Sequence, residues 1–193
     1  MEGFYSMGID GYNRIQDLKL PIFLDLKLHD IPNTVNKGII AINKLRPLLT
    51  TIHISGGDKM MRSSLVKRRY TKILGVSILT SLNNTQTKKF YNQQNIQLLV
   101  KKFSSQAKRC GLDGIVCSPK EIKFIRKELG KNFLIVTPGI RPEVSSVKKD
   151  DQTRILTPNQ AIKDGADLLV IGRPIMQSKD PLDMIKNINK SIK

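Results

Sequence analysis

The segment PIFLDLKLHDIPNTV, residues 21–35, places two opposite charges in an apolar stretch that is typical of a buried strand. Side chains at alternate positions of a strand point to the same face, so the pattern predicts that Asp25 and Lys27 share one face and the leucines the other. A buried charge costs several kcal/mol unless it is paired. The two residues therefore form either a structural ion pair or a charged catalytic face at the end of a strand, and this segment alone leaves both interpretations open.

Five further short apolar runs follow this strand, and amphipathic stretches of helical period separate them. The helical stretches include residues 35–45, which end before Pro47, residues 96–107, and a last helix that begins at Asp180 as N-cap. The six predicted strands are 21–27, 50–54, 72–79, 114–118, 133–137 and 168–172.

Strands and helices that alternate without hairpin signals favour parallel pairing and an α/β architecture. Polar or glycine-containing groups follow the strands at several places along the chain, which favours a TIM (β/α)8 barrel over a doubly wound sheet. Such a barrel has eight strands and about 250 residues, whereas this sequence of 193 residues offers six strands. We expect a single domain over residues 1–193, a barrel truncated at its N-terminus to about six strands.

The composition excludes several functional classes. The formal net charge is +17, but the 33 Lys and Arg residues are spread along the whole chain, so we expect no nucleic-acid partner. No apolar run approaches the roughly 18 residues that span a bilayer, and the N-terminus lacks the features of a signal peptide, so we expect no membrane partner. The two cysteines indicate a reducing cytoplasm, and the two histidines, His29 and His53, do not predict a metal site.

The residues that follow Lys27 make the charged segment specific. The pattern Asp25-x-Lys27-x-x-Asp30, continued by Ile-Pro-Asn-Thr at 31–34, resembles the orotidine 5′-phosphate decarboxylases, in particular their bacterial form. The Asp-x-Lys-x-x-Asp core alone is shared with sugar-phosphate decarboxylases and synthases on related barrels, which stay open as an alternative, as does a non-catalytic remnant of the decarboxylase. Further blocks resemble the family in the same order along the chain: HISGG at 53–57, LTS at 79–81, CGLDGIVCS at 110–118, VTPGIRP at 136–142, DDQTRILTP at 150–158 and VIGRPI at 170–175.

The resemblance implies roles for the residues of the charged segment. Lys27 matches the lysine that delivers a proton to C6 of the pyrimidine as carbon dioxide leaves, and Asp25 matches the aspartate placed against the substrate carboxylate. Asp30 matches a carboxylate that reaches across a homodimer interface into the partner's site. Ile31 and Thr34 belong to the same substrate-binding segment, and Thr34 would contact the ribose across that interface. A row of carboxylate, ammonium and carboxylate stabilises a carbanion with fixed charges, so neither a metal nor an organic cofactor is implied.

The resemblance also implies the remaining contacts to the substrate, orotidine 5′-phosphate. Thr80 matches the residue that reads the pyrimidine ring, although residues 80 and 81 could equally cap the next helix. Glycine lets a backbone N–H approach an anion, and arginine offers two parallel donors. The polar segment 142–153 lies next to the expected phosphate site and is a candidate lid. The 5′-phosphate is expected at Arg141, Gln152, Gly172 and Arg173.

The sequence departs from the family at its start. The family has two further strands before the one that carries Asp25. The first of them ends in an aspartate that touches the ribose, and the second ends in a lysine of the charge row. Neither has a counterpart in the 193 residues, so we expect this chain to be a poor catalyst by itself.

Overall fold

The computed structural model describes residues 2–142 and 156–192. The chain forms two compact units, one made of residues 1–76 and 106–114 and the other of residues 77–105 and 115–193. The organisation as a single domain stays a prediction.

The first unit contains a parallel sheet and the helices that connect its strands. Its elements are α1 (Glu2–Gln16), β1 (Phe23–Leu28), α2 (Pro32–Leu45), β2 (Leu49–His53), α3 (Gly57–Leu65) and β3 (Lys72–Val76). Strand β1 pairs in parallel with β2, and β2 pairs in parallel with β3. Large apolar side chains that are fully buried form the core of this unit: Ile39, Ile52, Ile54, Met60, Met61, Ile73 and Leu74.

Helix α2 shows how the sequence sets the limits of an element. Pro32 lies in its first turn, where a missing N–H and a fixed φ cost nothing. Its apolar stripe at Val35, Ile39 and Ile42 is buried, as the helical spacing predicts. The chain leaves the helix at Arg46, which adopts a left-handed conformation directly before a proline that cannot continue it.

The second unit repeats the alternation of strand and helix. Its elements are α4 (Asn84–Tyr91), α5 (Ile96–Cys110), β4 (Gly114–Val116), α6 (Ile122–Leu129), β5 (Leu134–Thr137), α7 (Pro158–Asp164), β6 (Leu168–Leu169), α8 (Arg173–Met176) and α9 (Pro181–Ser191), of which α5 and β4 contribute residues to both units. Strands β4, β5 and β6 are neighbours in that order, and β5 pairs in parallel with β6. The N-cap predicted for the last helix is confirmed, since the Asp180 carboxylate accepts the Asp183 N–H at 3.0 Å.

The six strands that the sequence predicts are all present, so the α/β prediction is confirmed. Four of them end earlier than predicted: β2 by one residue, β4 by two, and β3 and β6 by three residues each. Strand β3 stops at Val76 because the chain then closes a turn in which the Leu82 N–H donates to the Leu79 carbonyl at 3.0 Å. Strand β6 stops at Leu169 because the chain turns into α8. None of the helices in the described ranges combines the length and apolar character that crossing a bilayer requires.

Candidate active site

A bulge in β1 places Asp25 and Lys27. Leu24 of β1 pairs with Thr50 of β2, and the next paired residues are Leu28 and Ile52. Residues 25–27 of β1 therefore lie opposite Thr51 alone. Lys27 takes a positive φ of 56° inside this bulge. The strict alternation that the sequence predicts for the strand is therefore wrong here, because a bulge inserts extra residues and re-aims their side chains.

Asp25 and Lys27 form an ion pair within the bulge. Lys27 Nζ contacts Asp25 Oδ2, while Asp25 Oδ1 accepts a hydrogen bond from the Thr51 hydroxyl group at 2.7 Å. The Lys27 backbone N–H donates to the same hydroxyl oxygen at 2.8 Å. The side chains of Lys27 and Asp25 keep 27% and 32% of their surface exposed. The pair is thus held by the protein and still open to a ligand, as electrostatic catalysis requires.

The other residues of the charged segment point to solvent. Asp30, Ile31 and Thr34 are all exposed, in the loop after β1 and the first turn of α2. The Asp30 carboxylate accepts the Ile31 N–H at 2.6 Å and makes no ion pair among the described residues. Among the described residues of one chain, Lys27 is therefore paired with Asp25 and not held between two carboxylates. The role of Asp30 toward a partner chain stays a prediction.

Two histidines lie beside each other near this pair, a contact that the sequence patterns do not predict. The ring centroids of His29 and His53 are 5.2 Å apart, with 38° between the ring planes. Burial lowers the pKa of His53, the charges of His29 and Lys27 lower it further, and Asp25 acts in the opposite direction. His53 stands two residues after Thr51 on β2, and alternate residues of a strand share a face. This spacing indicates that His53 lies on the same side of the strand as the residue that contacts Asp25. In the described part of the chain, His, Cys, Asp and Glu side chains do not gather into a group of three that could hold a metal ion.

Thr80 lies in the turn that follows β3 and is half-buried. The next helix, α4, begins after it and is capped by Asn83, whose side-chain oxygen accepts the Gln86 N–H at 3.0 Å. The Gln86 side chain accepts the Asn83 N–H in return at 3.1 Å, which completes a capping box. The alternative in which residues 80 and 81 cap this helix is therefore wrong, and contact of Thr80 with a pyrimidine ring stays a prediction.

The two arginines predicted at the phosphate follow neighbouring strands of the second unit. Arg141 stands four residues after the end of β5, and Arg173 stands four residues after the end of β6. The carboxyl ends of parallel neighbours lie at one edge of a sheet, so both arginines leave the sheet at the same edge. The backbone N–H of Arg141 donates to the Leu156 carbonyl at 2.9 Å, which fixes the chain directly after this strand end.

Gly172 leaves open space at this edge. It precedes α8, and a methyl group added to its α-carbon would meet, among the described residues, no atom within 4 Å other than those of its chain neighbours. Its φ of −108° lies outside the left-handed region that favours glycine. Arg173 follows Gly172 directly in the chain, and arginine binds phosphate groups through two parallel donors. Gln152, the fourth predicted phosphate contact, and almost all of the candidate lid at 142–153 lie outside the described residues.

Comparisons with known proteins identify the family. The sequence model of the Orotidine 5′-phosphate decarboxylase / HUMPS family matches residues 1–188. Two proteins named orotidine 5′-phosphate decarboxylase, from Actinobacillus pleuropneumoniae serotype 5b and from Wolbachia sp. subsp. Brugia malayi, are 42% and 43% identical to this chain, over 100% of the chain and 85% of each relative. The crystal structure of orotidine 5′-phosphate decarboxylase from Lactobacillus acidophilus matches with a TM-score of 0.82 and 35% identity, over 96% of this chain and 81% of that one.

The fold and the charged pair at a strand end define a TIM-barrel-like α/β enzyme. Within that class, the chain belongs to the orotidine 5′-phosphate decarboxylase / HUMPS family. The resemblance found in the sequence is thereby confirmed.

Proposed function

We propose that this chain decarboxylates orotidine 5′-phosphate to UMP, a step of pyrimidine nucleotide synthesis. One observation carries the proposal: the Asp25–Lys27 ion pair, held on a bulge by Thr51, lies in the segment whose sequence is typical of this decarboxylase. Relatives that bear the name of this enzyme cover the whole chain at more than 40% identity. The free, buried thiols of Cys110 and Cys117 are compatible with the reducing cytoplasm in which we place the reaction.

The proposed chemistry uses the two charges in turn. The bond between C6 of the pyrimidine and its carboxylate breaks, the electron pair stays on C6, and carbon dioxide leaves. The Lys27 ammonium then gives its proton to C6 and regains one from solvent. Asp25 lies against the substrate carboxylate, so that their repulsion is relieved as carbon dioxide leaves. Charges that are already fixed before the reaction stabilise the carbanion without reorganisation, and in many enzymes such electrostatic stabilisation contributes most of the rate enhancement.

The 5′-phosphate is proposed to bind at Arg141, Gln152, Gly172 and Arg173, and Thr80 is proposed to read the pyrimidine ring. The open space at Gly172 supports the phosphate assignment, because among the described residues only the chain neighbours lie within 4 Å of the position of a Cβ atom there, which leaves room for an anion. The six strands are proposed to correspond to six of the eight strands of a (β/α)8 barrel.

We further propose a homodimer whose chains share their active sites. The exposure of three residues supports this proposal, because they follow Lys27 by seven positions or fewer and yet point to solvent in one chain: Asp30, Ile31 and Thr34. Mixing an Asp30→Ala protein with a Lys27→Ala protein should give mixed dimers with one complete site each, and hence turnover that neither parent shows. Two different affinity tags verify that mixed dimers form. Mixed dimers as inactive as both parents would refute the shared site.

The activity itself is tested with substrate labelled at its carboxylate carbon. Protein in excess of orotidine 5′-phosphate is incubated until label is released, which detects even slow turnover, and chelator is added to a parallel sample. We expect labelled carbon dioxide and UMP in equal amounts, with or without chelator. A sugar-phosphate enzyme would be inert on this substrate and would need Mg²⁺ for its own, and release no faster than in buffer would contradict the proposal.

A further inference from the structure

We infer that Thr51 is a positioning residue of this site, whose hydroxyl group holds the Asp25 carboxylate and the Lys27 backbone in the geometry that the charged pair needs. The inference goes beyond the residues that the family resemblance implies. It rests on the proposed catalytic role of the pair.

The hydroxyl group of Thr51 donates one hydrogen bond and accepts another, which an apolar side chain such as valine could not do. It donates to Asp25 Oδ1 at 2.7 Å and accepts the Lys27 backbone N–H at 2.8 Å. Lys27 Nζ contacts the other oxygen of the same carboxylate. The three residues thus close a ring of contacts in which the threonine links the backbone of the lysine to the side chain of its partner.

The bulge explains why a side chain, and not the backbone of β2, holds the charged pair in place. Residues 25–27 lie opposite Thr51 alone, so the regular ladder of backbone hydrogen bonds is interrupted where the charged pair stands. Lys27 holds a left-handed conformation, which L-residues adopt only when their surroundings impose it. The Thr51 side chain is fully buried, so water cannot easily replace its hydroxyl group if that group is removed.

Position is what the proposed reaction requires of the pair. Proton transfer to C6 and repulsion of the substrate carboxylate both depend on where two flexible side chains stand. A displacement of about 1 Å in such a group can cost about 10²-fold in rate. Loss of the hydroxyl group releases one oxygen of Asp25 and the N–H of Lys27 together, and hence should lower turnover without touching the groups proposed at the phosphate.

The neighbouring Thr50 provides a matched control. It is the same residue type, equally buried, and its hydroxyl group donates to the Leu24 carbonyl at 2.8 Å. Thr50→Val and Thr51→Val therefore each remove one buried hydroxyl group from adjacent positions of β2. They differ in that only Thr51 touches the charged pair.

The test compares Thr51→Val, Thr51→Ser, Thr50→Val and the unchanged protein in single-turnover release of labelled carbon dioxide, with folding checked by circular dichroism. We expect the maximal single-turnover rate constant of Thr51→Val to fall by about 10- to 100-fold, with the protein concentration that gives half of that rate within about threefold. Thr51→Ser should recover most of the loss, and Thr50→Val should keep its rate. A folded Thr51→Val with an unchanged rate would overturn the inference. A serine variant no better than valine, or a Thr50→Val loss equal to that of Thr51→Val, would overturn it too, because the effect would then belong to strand packing.

Two further measurements separate the possible failures. Lys27→Ala is assayed in parallel. If this variant keeps full activity, the proposed role of the pair is wrong. If Lys27→Ala is inactive while Thr51→Val is fully active, only the inference on Thr51 is refuted. Hydrogen exchange of the Lys27 amide in the unchanged protein needs no variant to fold. We expect slow exchange because of the hydroxyl acceptor, and exchange as fast as at an exposed loop amide would contradict the bond on which the inference depends.

Discussion

Replacing Gly172 by alanine separates binding of the phosphate from stability of the fold. Among the described residues, the added methyl group would meet no atom within 4 Å other than those of its chain neighbours. With φ −108° and ψ −89° the residue lies just outside the α region, so we expect the melting temperature to fall by no more than about 4 °C. The same methyl group would occupy the space proposed for the phosphate. A hydrogen bond to a charged group is worth about 1.5–3 kcal/mol, so loss of one such bond should weaken UMP binding by about 10- to 150-fold.

Calorimetric titration with UMP and with uridine measures this effect. Uridine lacks the phosphate, so its affinity should be the same for the Gly172→Ala and the unchanged protein. Gly130→Ala is the opposite control, because Gly130 also has open space around it but a φ of +75°. That variant should lose about 1–3 kcal/mol of stability, because φ +75° with ψ −173° is a conformation that essentially only glycine adopts, and it should keep its UMP affinity. Unchanged UMP binding by Gly172→Ala would refute the assignment of the phosphate to this strand end.

Two further predictions concern stability. The pKa of His53 is lowered in the folded protein, chiefly by burial. The neutral side chain therefore contributes its full stability above its ordinary pKa of about 6.5, and this contribution is lost as the pH falls through the lowered value. Between pH 7 and pH 5, His53→Gln should lose less free energy of unfolding in urea titrations than the unchanged protein, and equal losses would contradict this. The Asp167 carboxylate pairs with Arg126 at 2.6 Å and accepts the Ile135 N–H at 2.7 Å. Asp167→Asn should therefore lower the free energy of unfolding by about 1–3 kcal/mol in urea titrations. A decrease below about 0.5 kcal/mol would show that these contacts contribute little.

The sequence predicts the fold well where local patterns decide it. Apolar runs between amphipathic stretches locate all six strands, and the caps at Asp180 and the proline after α2 fix helix limits. These features depend on residues close in sequence, such as a carboxylate that accepts an N–H three positions later. The ends of β3 and β6 are predicted three residues too late, because an apolar run continues into a turn without a change in composition.

The site is predicted in its residues but not in its geometry. The charged pair is recognised from its spacing, yet the bulge that positions it depends on the register between β1 and β2, which no local pattern reveals. For the same reason Thr51 has no signal of its own, since its two partners lie 24 and 26 residues earlier in the chain. The contact between His29 and His53 likewise arises between a loop and a different strand.

The proton donor is the central claim, and release of labelled carbon dioxide by Lys27→Ala tests it most directly. Lys37→Ala is the matched control, because Lys37 is an exposed lysine on the neighbouring helix α2. Loss of a general acid commonly costs about 10²–10⁴-fold in rate. We predict a loss of at least that size for Lys27→Ala, with UMP still bound, and an unchanged rate for Lys37→Ala. Turnover by Lys27→Ala near that of the unchanged protein would contradict the assignment of Lys27 as the residue that protonates C6.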